Sequence, residues 1–353
     1  MMSTLINDRD LQIVRAVYEE NFSESPRVKY AFLGGSLSAG LGHAFSDIDL
    51  HMVVDADDPE EFYRGFNREG RVVQVNPISV DKAKSLLAHG ASYRFTMTDY
   101  SSLSLGEQGL GKLVRFALGT PLAIAEDFRE VIDSLDTESV RHTVMTHHSF
   151  AAMSFAEDCL GSLQGGDPMV AIDAAELALC HGAEVLLAAA GDYYIGRKFL
   201  AARLARSSAC APFAKRVWRA RNQELDYQPS VQEATRIAEG LLTLAGDMAA
   251  IGTMNGWDKP LTSVVVPELE NEGPRRSPYF FPIRLSDCLI LHGPDKVHRV
   301  TEPMMKVWTT LSGLRIADVP DQTRGRYPEL SSNDDHKFLK AVDKLLEFGV
   351  AVS

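Results

Sequence analysis

The sequence predicts an α+β protein: an N-terminal α/β unit with a mixed sheet, a central all-α bundle and a small C-terminal unit. Three observations carry that prediction. Residues 1 to about 125 alternate strand-like and helix-like runs. From about Thr137 to Met254 the chain turns rich in Ala, Leu and Glu with helical spacing. After a turn-rich stretch, a hairpin signal then precedes three further helices.

Taken in order, Asp8 to Phe22 spaces Leu11, Val14, Val17 and Tyr18 as a helix does. Val28 to Leu33 reads as a first strand, Asp47 to Val54 as a second and Arg71 to Val75 as a third. The segment from Asp55 to Gly70 has helical character, Ser79 caps a helix to Leu87, and Tyr93 to Tyr100 reads as another strand.

In the bundle, Glu138 to Leu163 is a long helix ended by Gly165-Gly166. Asp167-Pro168 supplies an N-cap with proline at the first helical position, and the next helix runs to Gly191. Its stripe is Val170, Ala174, Leu177, His181, Val185 and Ala188. Helices over Ile195 to Arg206, Pro212 to Asn222 and Ser230 to Met254 complete a bundle of about five.

Asn255 to Pro282 concentrates turn formers and charge and reads as a linker. Arg284 to Leu291 and Lys296 to Val300 flank Gly293-Pro294-Asp295 as a hairpin. Thr301 caps a helix to Leu311; others follow over Ile316 to Tyr327 and Asn333 to Phe348, and Val350 to Val352 closes as a strand. Two strands, three helices and a last strand make a small winged-helix unit, with Trp308, Leu311 and Leu314 in its core. The predicted domains are therefore residues 1–130, 137–255 and 283–353, with 256–282 as the linker.

Composition narrows the function classes. The 353 residues carry 36 Lys+Arg against 48 Asp+Glu, a net charge of −12, so non-specific binding to nucleic-acid phosphates is disfavoured. With 45% hydrophobic residues and 8% aromatics the chain can build real cores, which excludes a disordered or fibrous class. No stretch of about 18 uninterrupted apolar residues is present, which argues against a membrane protein. The N-terminus MMSTLINDRD lacks an export pattern, and Cys159, Cys180, Cys210 and Cys288 are scattered and read as single buried thiols. A cytoplasmic protein is expected.

The stretch that carries chemistry is FLGGSLSAGLGHAFSDIDLHMVV, Phe32 to Val54. A strand runs into Gly34-Gly35-Ser36, and eleven residues after Ser36 a second strand opens with Asp47-Ile48-Asp49. Strand side chains alternate, so Asp47 and Asp49 share one face while Ile48 and Leu50 face the core. Like charges side by side on a strand repel, which makes them costly as a structural feature. They suit Mg²⁺, a hard cation that takes oxygen donors and keeps water and phosphate as its other ligands. The glycines let backbone N–H groups and the Ser36 hydroxyl approach a triphosphate closely. A phosphate cradle beside two carboxylates is the machinery of phosphoryl or nucleotidyl transfer.

This segment resembles the polymerase-β-like nucleotidyltransferase superfamily, whose motif falls here on Gly35, Ser36, Gly40, Ser46, Asp47 and Asp49. The helical part is similar to that of aminoglycoside (kanamycin-type) nucleotidyltransferases through Ala189-Ala190-Gly191-Asp192-Tyr193-Tyr194 followed by Arg197 and Lys198. The resemblance implies that Gly34, Gly35, Ser36, Gly40 and Ser46 bind nucleotide, that Arg197 or Lys198 meets the triphosphate, and that Asp47 and Asp49 hold Mg²⁺, with room for two ions. ATP or another NTP would be the co-substrate, and a hydroxyl of a small-molecule acceptor would attack, releasing pyrophosphate.

One departure stands out. Members often supply a third carboxylate from the next strand or from the helical domain, and on that strand this chain has Gln74 and Asn76, neither of which can act as a base. Glu157, Asp158, Glu176 and Asp99 are the alternatives, with Glu157 first because the kanamycin-type enzymes place a base on the first bundle helix. The competing expectation is a non-catalytic nucleotide-binding scaffold. His142, His147 and His148 lack the spacing of a metal site and read as packed or exposed histidines, while His43 and His51 flank the acidic pair and His43 could touch phosphate. The C-terminal unit resembles PqqD-like winged-helix modules that bind leader peptides. That likeness implies a peptide partner added as a strand to the hairpin edge, and with it a peptide-recruiting enzyme.

Overall fold

Alternating apolar residues along Ile48–Val54 build the centre of the first sheet, since every second side chain there is fully buried. The computed structural model describes residues 8–224 and 228–353, and the chain divides into two units. The first holds residues 1–94 and 101–143, the second 95–100 and 144–353. The expectation about an export signal falls mainly on residues 1–7, outside the described residues.

The first unit runs α1 (Asp8–Asn21), β1 (Val28–Leu33), α2 (Gly35–Ser38), β2 (Ile48–Val54), β3 (Gly65–Arg68), β4 (Arg71–Ser79), α3 (Val80–Ala88), α4 (Gly106–Leu118), β5 (Thr120–Ile124) and α5 (Glu126–Asp133). Its sheet has the order β3-β4-β2-β1-β5. β2 and β4 are parallel, and the other three pairings antiparallel. This is the mixed sheet of an α+β fold. Ile48, Leu50, Met52 and Val54 pack with Ile13, Val14 and Val17 of α1 on one face. On the other, Tyr30, Phe32, Val53 and Ile78 pack with Leu86, Leu87, Phe116 and Phe128 from α3, α4 and α5. Alternation puts Asp49 and His51 on this second face.

Two expectations fail here, and one strand runs longer than expected, each for an identifiable reason. The helical reading of Asp55 to Gly70 holds only for one 3₁₀ turn, Pro59–Phe62. Glu69 and Gly70, both at positive φ (53° and 76°), make the two-residue turn that pairs β3 with β4 as a hairpin. The expected strand from Tyr93 to Tyr100 is a tight turn closed by a single Thr96–Asp99 bridge, with the Thr96 hydroxyl accepting from the Asp99 amide at 3.0 Å. β4 outruns the expected Val75 and passes through Pro77, which is tolerated because β3 pairs only as far as Gln74 and leaves that stretch an edge.

In the second unit α6 (Thr137–Gly165, whose residues to 143 belong to the first unit) is followed by α7 (Pro168–Ala189), α8 (Leu200–Arg206), α9 (Ala211–Arg221) and α10 (Val231–Asn255). Asp167 caps α7 by accepting from the Val170 amide, and Ser230 caps α10 in the same way from Glu233. The Ile195 to Arg206 helix begins only at Leu200, after a 3₁₀ turn over Arg197–Phe199. α10 is long and apolar enough to cross a membrane by length and composition, yet 78% of that window is buried inside the protein. It is a core helix.

The chain ends with β6 (Arg275–Arg276), β7 (Phe281–Arg284), β8 (Leu289–His292), β9 (Val297–Val300), α11 (Glu302–Thr310), α12 (Val319–Arg326), α13 (Asp335–Glu347) and β10 (Ala351–Val352). The expected hairpin is a three-stranded meander, β7-β8-β9, because the Arg284–Leu291 run breaks at a turn where the Leu285 amide donates to Cys288 O at 2.8 Å. β10 pairs with β6, inside the stretch read as linker. Trp308, Leu311 and Leu314 are buried, and the Trp308 indole donates to Val350 O at 2.9 Å. All four thiols are free; Cys288 is half-buried rather than buried.

Histidine is packed into the bundle as a neutral group. His148 and His181 share a hydrogen bond between their Nδ1 atoms at 2.8 Å, so one ring donates and the other accepts. Burial, then the neighbouring His147 and Arg197, push His181 down to about 4, and burial pushes His148 well below its usual range. Folded-state values below the unfolded one mean that the unfolded chain takes up protons first as pH falls. The second unit should therefore lose stability as pH drops from about 6.5 towards 4, by on the order of 3 kcal/mol for His181 alone. Thermal melts across that range should show a steeper loss for wild type than for the His148→Leu, His181→Leu variant; parallel curves would contradict the neutral pair.

Candidate active site

β1 delivers the chain to Gly34, whose amide donates to Asp49 O at 2.9 Å and so locks the glycine turn across β2. The two glycines then lie over alternate residues of that strand. A Cβ on Gly35, which sits at φ 73°, would fall 2.0 Å from Asp49 Oδ2, and one on Gly34 would fall 2.4 Å from His51 Cδ2. Only glycine allows that approach. The backbone of the first turn of α2 thus lies directly against a carboxylate.

Around this contact the sequence-expected residues fall as follows. Asp49 is half-buried on β2, while Asp47 precedes the strand, is exposed, and makes no hydrogen bond or ion pair among the described residues. The Ser36 hydroxyl likewise makes no hydrogen bond among the described residues. Gly40 lies in the exposed turn after α2 at φ 65°. Ser46 is engaged structurally: its hydroxyl accepts from the His43 amide at 3.0 Å. His43 in turn accepts from the Phe45 amide through Nδ1 at 3.1 Å.

Four features were not read from the sequence. The parallel register sets Gln74 beside Asp49 and Asn76 beside His51, and the Asn76 amide donates to Asp49 Oδ1 at 3.3 Å. Gln74 turns to the Tyr63 hydroxyl at 2.8 Å. Arg71 pins the loop before Asp47 by donating to Ala44 O and Ser46 O, each at 3.0 Å. His51 is stacked on Phe32 at 5.1 Å, and its Nε2 is buried without a hydrogen-bond partner. Burial, with Arg115 and Lys112 adding to it, pushes His51 down to about 3, so it is a neutral packing group.

The other candidates belong to the second unit. Burial, and after it Asp158, raises the half-buried Glu157 carboxyl, which makes no ion pair among the described residues. Glu176 differs: burial alone would raise it, but Arg221 and Arg197, each at 3.0 Å, hold it low. It is a pinned structural carboxylate. Arg197 is thereby paired, whereas Lys198 is exposed with Nζ 4.7 Å from the Phe199 ring centroid. Asp158 and Asp99 are exposed. Behind this segment Arg203 Nη1 donates to both Glu184 oxygens at 2.9 and 2.7 Å and Nε donates to Asp192 at 3.0 Å; burial pushes Glu184 up, and Arg203 opposes that shift. His142, His147 and His148 do not converge, and no group of three or more metal-ligating side chains occurs among the described residues.

Asp49, half-buried with Oδ1 accepting from Asn76, and the exposed Asp47, which has no ion pair among the described residues, are the oxygen donors that would suit a magnesium ion shared with phosphate oxygens. The fold and this site define an α+β protein with a glycine turn set against an acidic strand. No protein-family profile matches the chain, and no curated protein matches it. Nine solved chains do. One is a nucleotidyltransferase-like protein from Exiguobacterium sibiricum 255-15, 14% identical over 68% of this chain and 76% of that one, at a TM-score of 0.37. At that level of likeness the site is read from its own residues.

The Gly35 contact gives a direct prediction. Gly35→Ala must place a side chain at positive φ and displace Asp49, which should destabilise the first unit by about 2–4 kcal/mol. Denaturant melts would measure it, and a wild-type midpoint would contradict the contact.

Proposed function

We propose that the first unit binds a magnesium nucleoside triphosphate and transfers its nucleotidyl group to a hydroxyl of a small molecule, releasing pyrophosphate. ATP is the first choice of nucleotide. The observation that supports this most is the Gly35 backbone lying against Asp49; Ser36 follows Gly35 with its hydroxyl unengaged, and Asp47, two residues before Asp49, has no ion pair among the described residues. Gly34, Gly35 and Ser36 would hold the β- and γ-phosphates through backbone N–H groups and the hydroxyl. Asp47 and Asp49 would hold the metal, which supplies charge neutralisation to the phosphates. The new bond joins the acceptor oxygen to the α-phosphorus, the α–β bridging bond breaks, and pyrophosphate leaves with that electron pair. The acceptor's proton goes to a base other than Gln74 or Asn76, whose amides cannot take it. Glu157, Arg197 and Lys198 belong to the second unit, and the proposal for the nucleotide stands on the first unit's residues.

Asp49→Asn preserves shape and removes the charge. Metal-dependent pyrophosphate release from ATP, assayed over a panel of hydroxyl acceptors, should fall at least about a hundredfold in the variant. An unchanged rate would remove Asp49 from the mechanism.

The Asn76 amide on Asp49 favours a second reading, a nucleotide-binding protein without turnover. A donor there competes with metal for the carboxylate and stands where a further acidic ligand would add charge. Calorimetry showing ATP binding with Mg²⁺ but no pyrophosphate from any acceptor would select it.

A further inference from the structure

Lysine ammonium groups resist being gathered together, because like charges repel and burial strips away their water. The first unit nevertheless brings Lys82 of α3 and Lys112 of α4 to one cavity of about 350 Å³, lined also by Ser85, His89, Ser104 and Gln108. Lys112 is half-buried; burial, then Lys82 and Arg115, push its pKa down, while Glu60 pulls the other way. None of Lys82, Lys112 and Arg115 forms an ion pair among the described residues. In a chain where 48 acidic residues outnumber 36 basic ones, carboxylates were available to pair them. Among the described residues these cations have no direct carboxylate partner, and Glu60 acts on Lys112 without pairing with it.

We propose that the cavity between α3 and α4 is an anion site for a phosphate or diphosphate group, held by Lys82 and Lys112. Two ammonium charges match a doubly charged phosphate, and the Ser85 and Ser104 hydroxyls and the Gln108 amide supply donors for its remaining oxygens. The volume lies at the small end of ligand pockets, about 300–1,000 Å³, which suits a compact anion. The site sits on the helices that cover the sheet face of Asp49 and His51, and Lys112 and Arg115 both act on His51. Two sources share this chemistry: the polyphosphate of a nucleotide, and a phosphate carried by a second ligand.

Calorimetric titration of the full chain with inorganic pyrophosphate, without metal, tests the site. Wild type should bind, more weakly as salt rises. The Lys82→Ala, Lys112→Ala variant should bind at least about tenfold more weakly. Lys84→Ala removes the same charge from an exposed position of α3 that does not line the cavity, and should bind as wild type. Titration with ATP separates the sources: weakening for ATP as well points to the nucleotide's own phosphates, and weakening for pyrophosphate alone points to a phosphate on another ligand. No binding by wild type, undiminished binding by the paired variant, or equal weakening by Lys84→Ala would overturn the site. Lys112→Met should raise the melting temperature by relieving repulsion, so that lost binding is not lost folding; a lower melting temperature would overturn the repulsion. Nucleotidyl transfer can fail while this binding persists, so the two proposals are separable.

Discussion

Gly35 and Asp49 compete for one volume, and much of the first unit follows from that. A methyl group on Gly35 would lie 2.0 Å from the carboxylate oxygen, so the turn tolerates no side chain there. The antiparallel register of β1 and β2, with Leu33 opposite Leu50, delivers the two glycines over Asp49 and His51. Buried Ile48, Leu50, Met52 and Val54 then hold β2 in that register, because a slip by one residue would turn the acidic face into the α1 core. The strength of the site is thus the strength of the sheet beneath it.

Charge is distributed with the same economy. The chain is acidic overall, and several of its cations are engaged structurally: Arg71 on the loop before Asp47, Arg197 and Arg221 on Glu176, Arg203 on Glu184 and Asp192. Against that background an exposed Asp47 and the two lysines of the α3–α4 cavity, none of them in an ion pair among the described residues, mark places where charge of one sign gathers. Metal and phosphate are complementary to those two places, one to each sign. His51 belongs to neither. Its ring is sealed between Phe32 and Gly34 and kept neutral by burial.

What was legible in the sequence was local. Alternation over Asp47 to Val54 separates Asp49 from the core residues Ile48 and Leu50, and the caps Ser79, Asp167 and Thr301 mark true helix starts. The Gly-Gly-Ser and Asp-Ile-Asp segments pointed to one turn and one strand, which the fold places together. What was not legible depends on pairing. Asn76 meets Asp49 only through the parallel β2–β4 register, a relation between residues 27 apart. β3 was hidden because the hairpin that Glu69-Gly70 closes lies inside the Asp55 to Gly70 stretch read as helical. Lys82 and Lys112 are ordinary surface residues in sequence, and become a site only when α3 and α4 pack.

The acidic pair is tested most directly by the metal itself. Mn²⁺, a spectroscopic substitute for Mg²⁺, can be titrated into wild type and Asp49→Asn with and without ATP and followed by electron paramagnetic resonance. Mn²⁺ binding should be weak to the protein alone, because two carboxylates give few ligands, and should tighten when ATP adds its phosphate oxygens. That tightening should vanish in Asp49→Asn. Equal ATP-dependent Mn²⁺ binding in both proteins would contradict a metal site at Asp49 and, with it, the reading of the glycine turn as a nucleotide cradle.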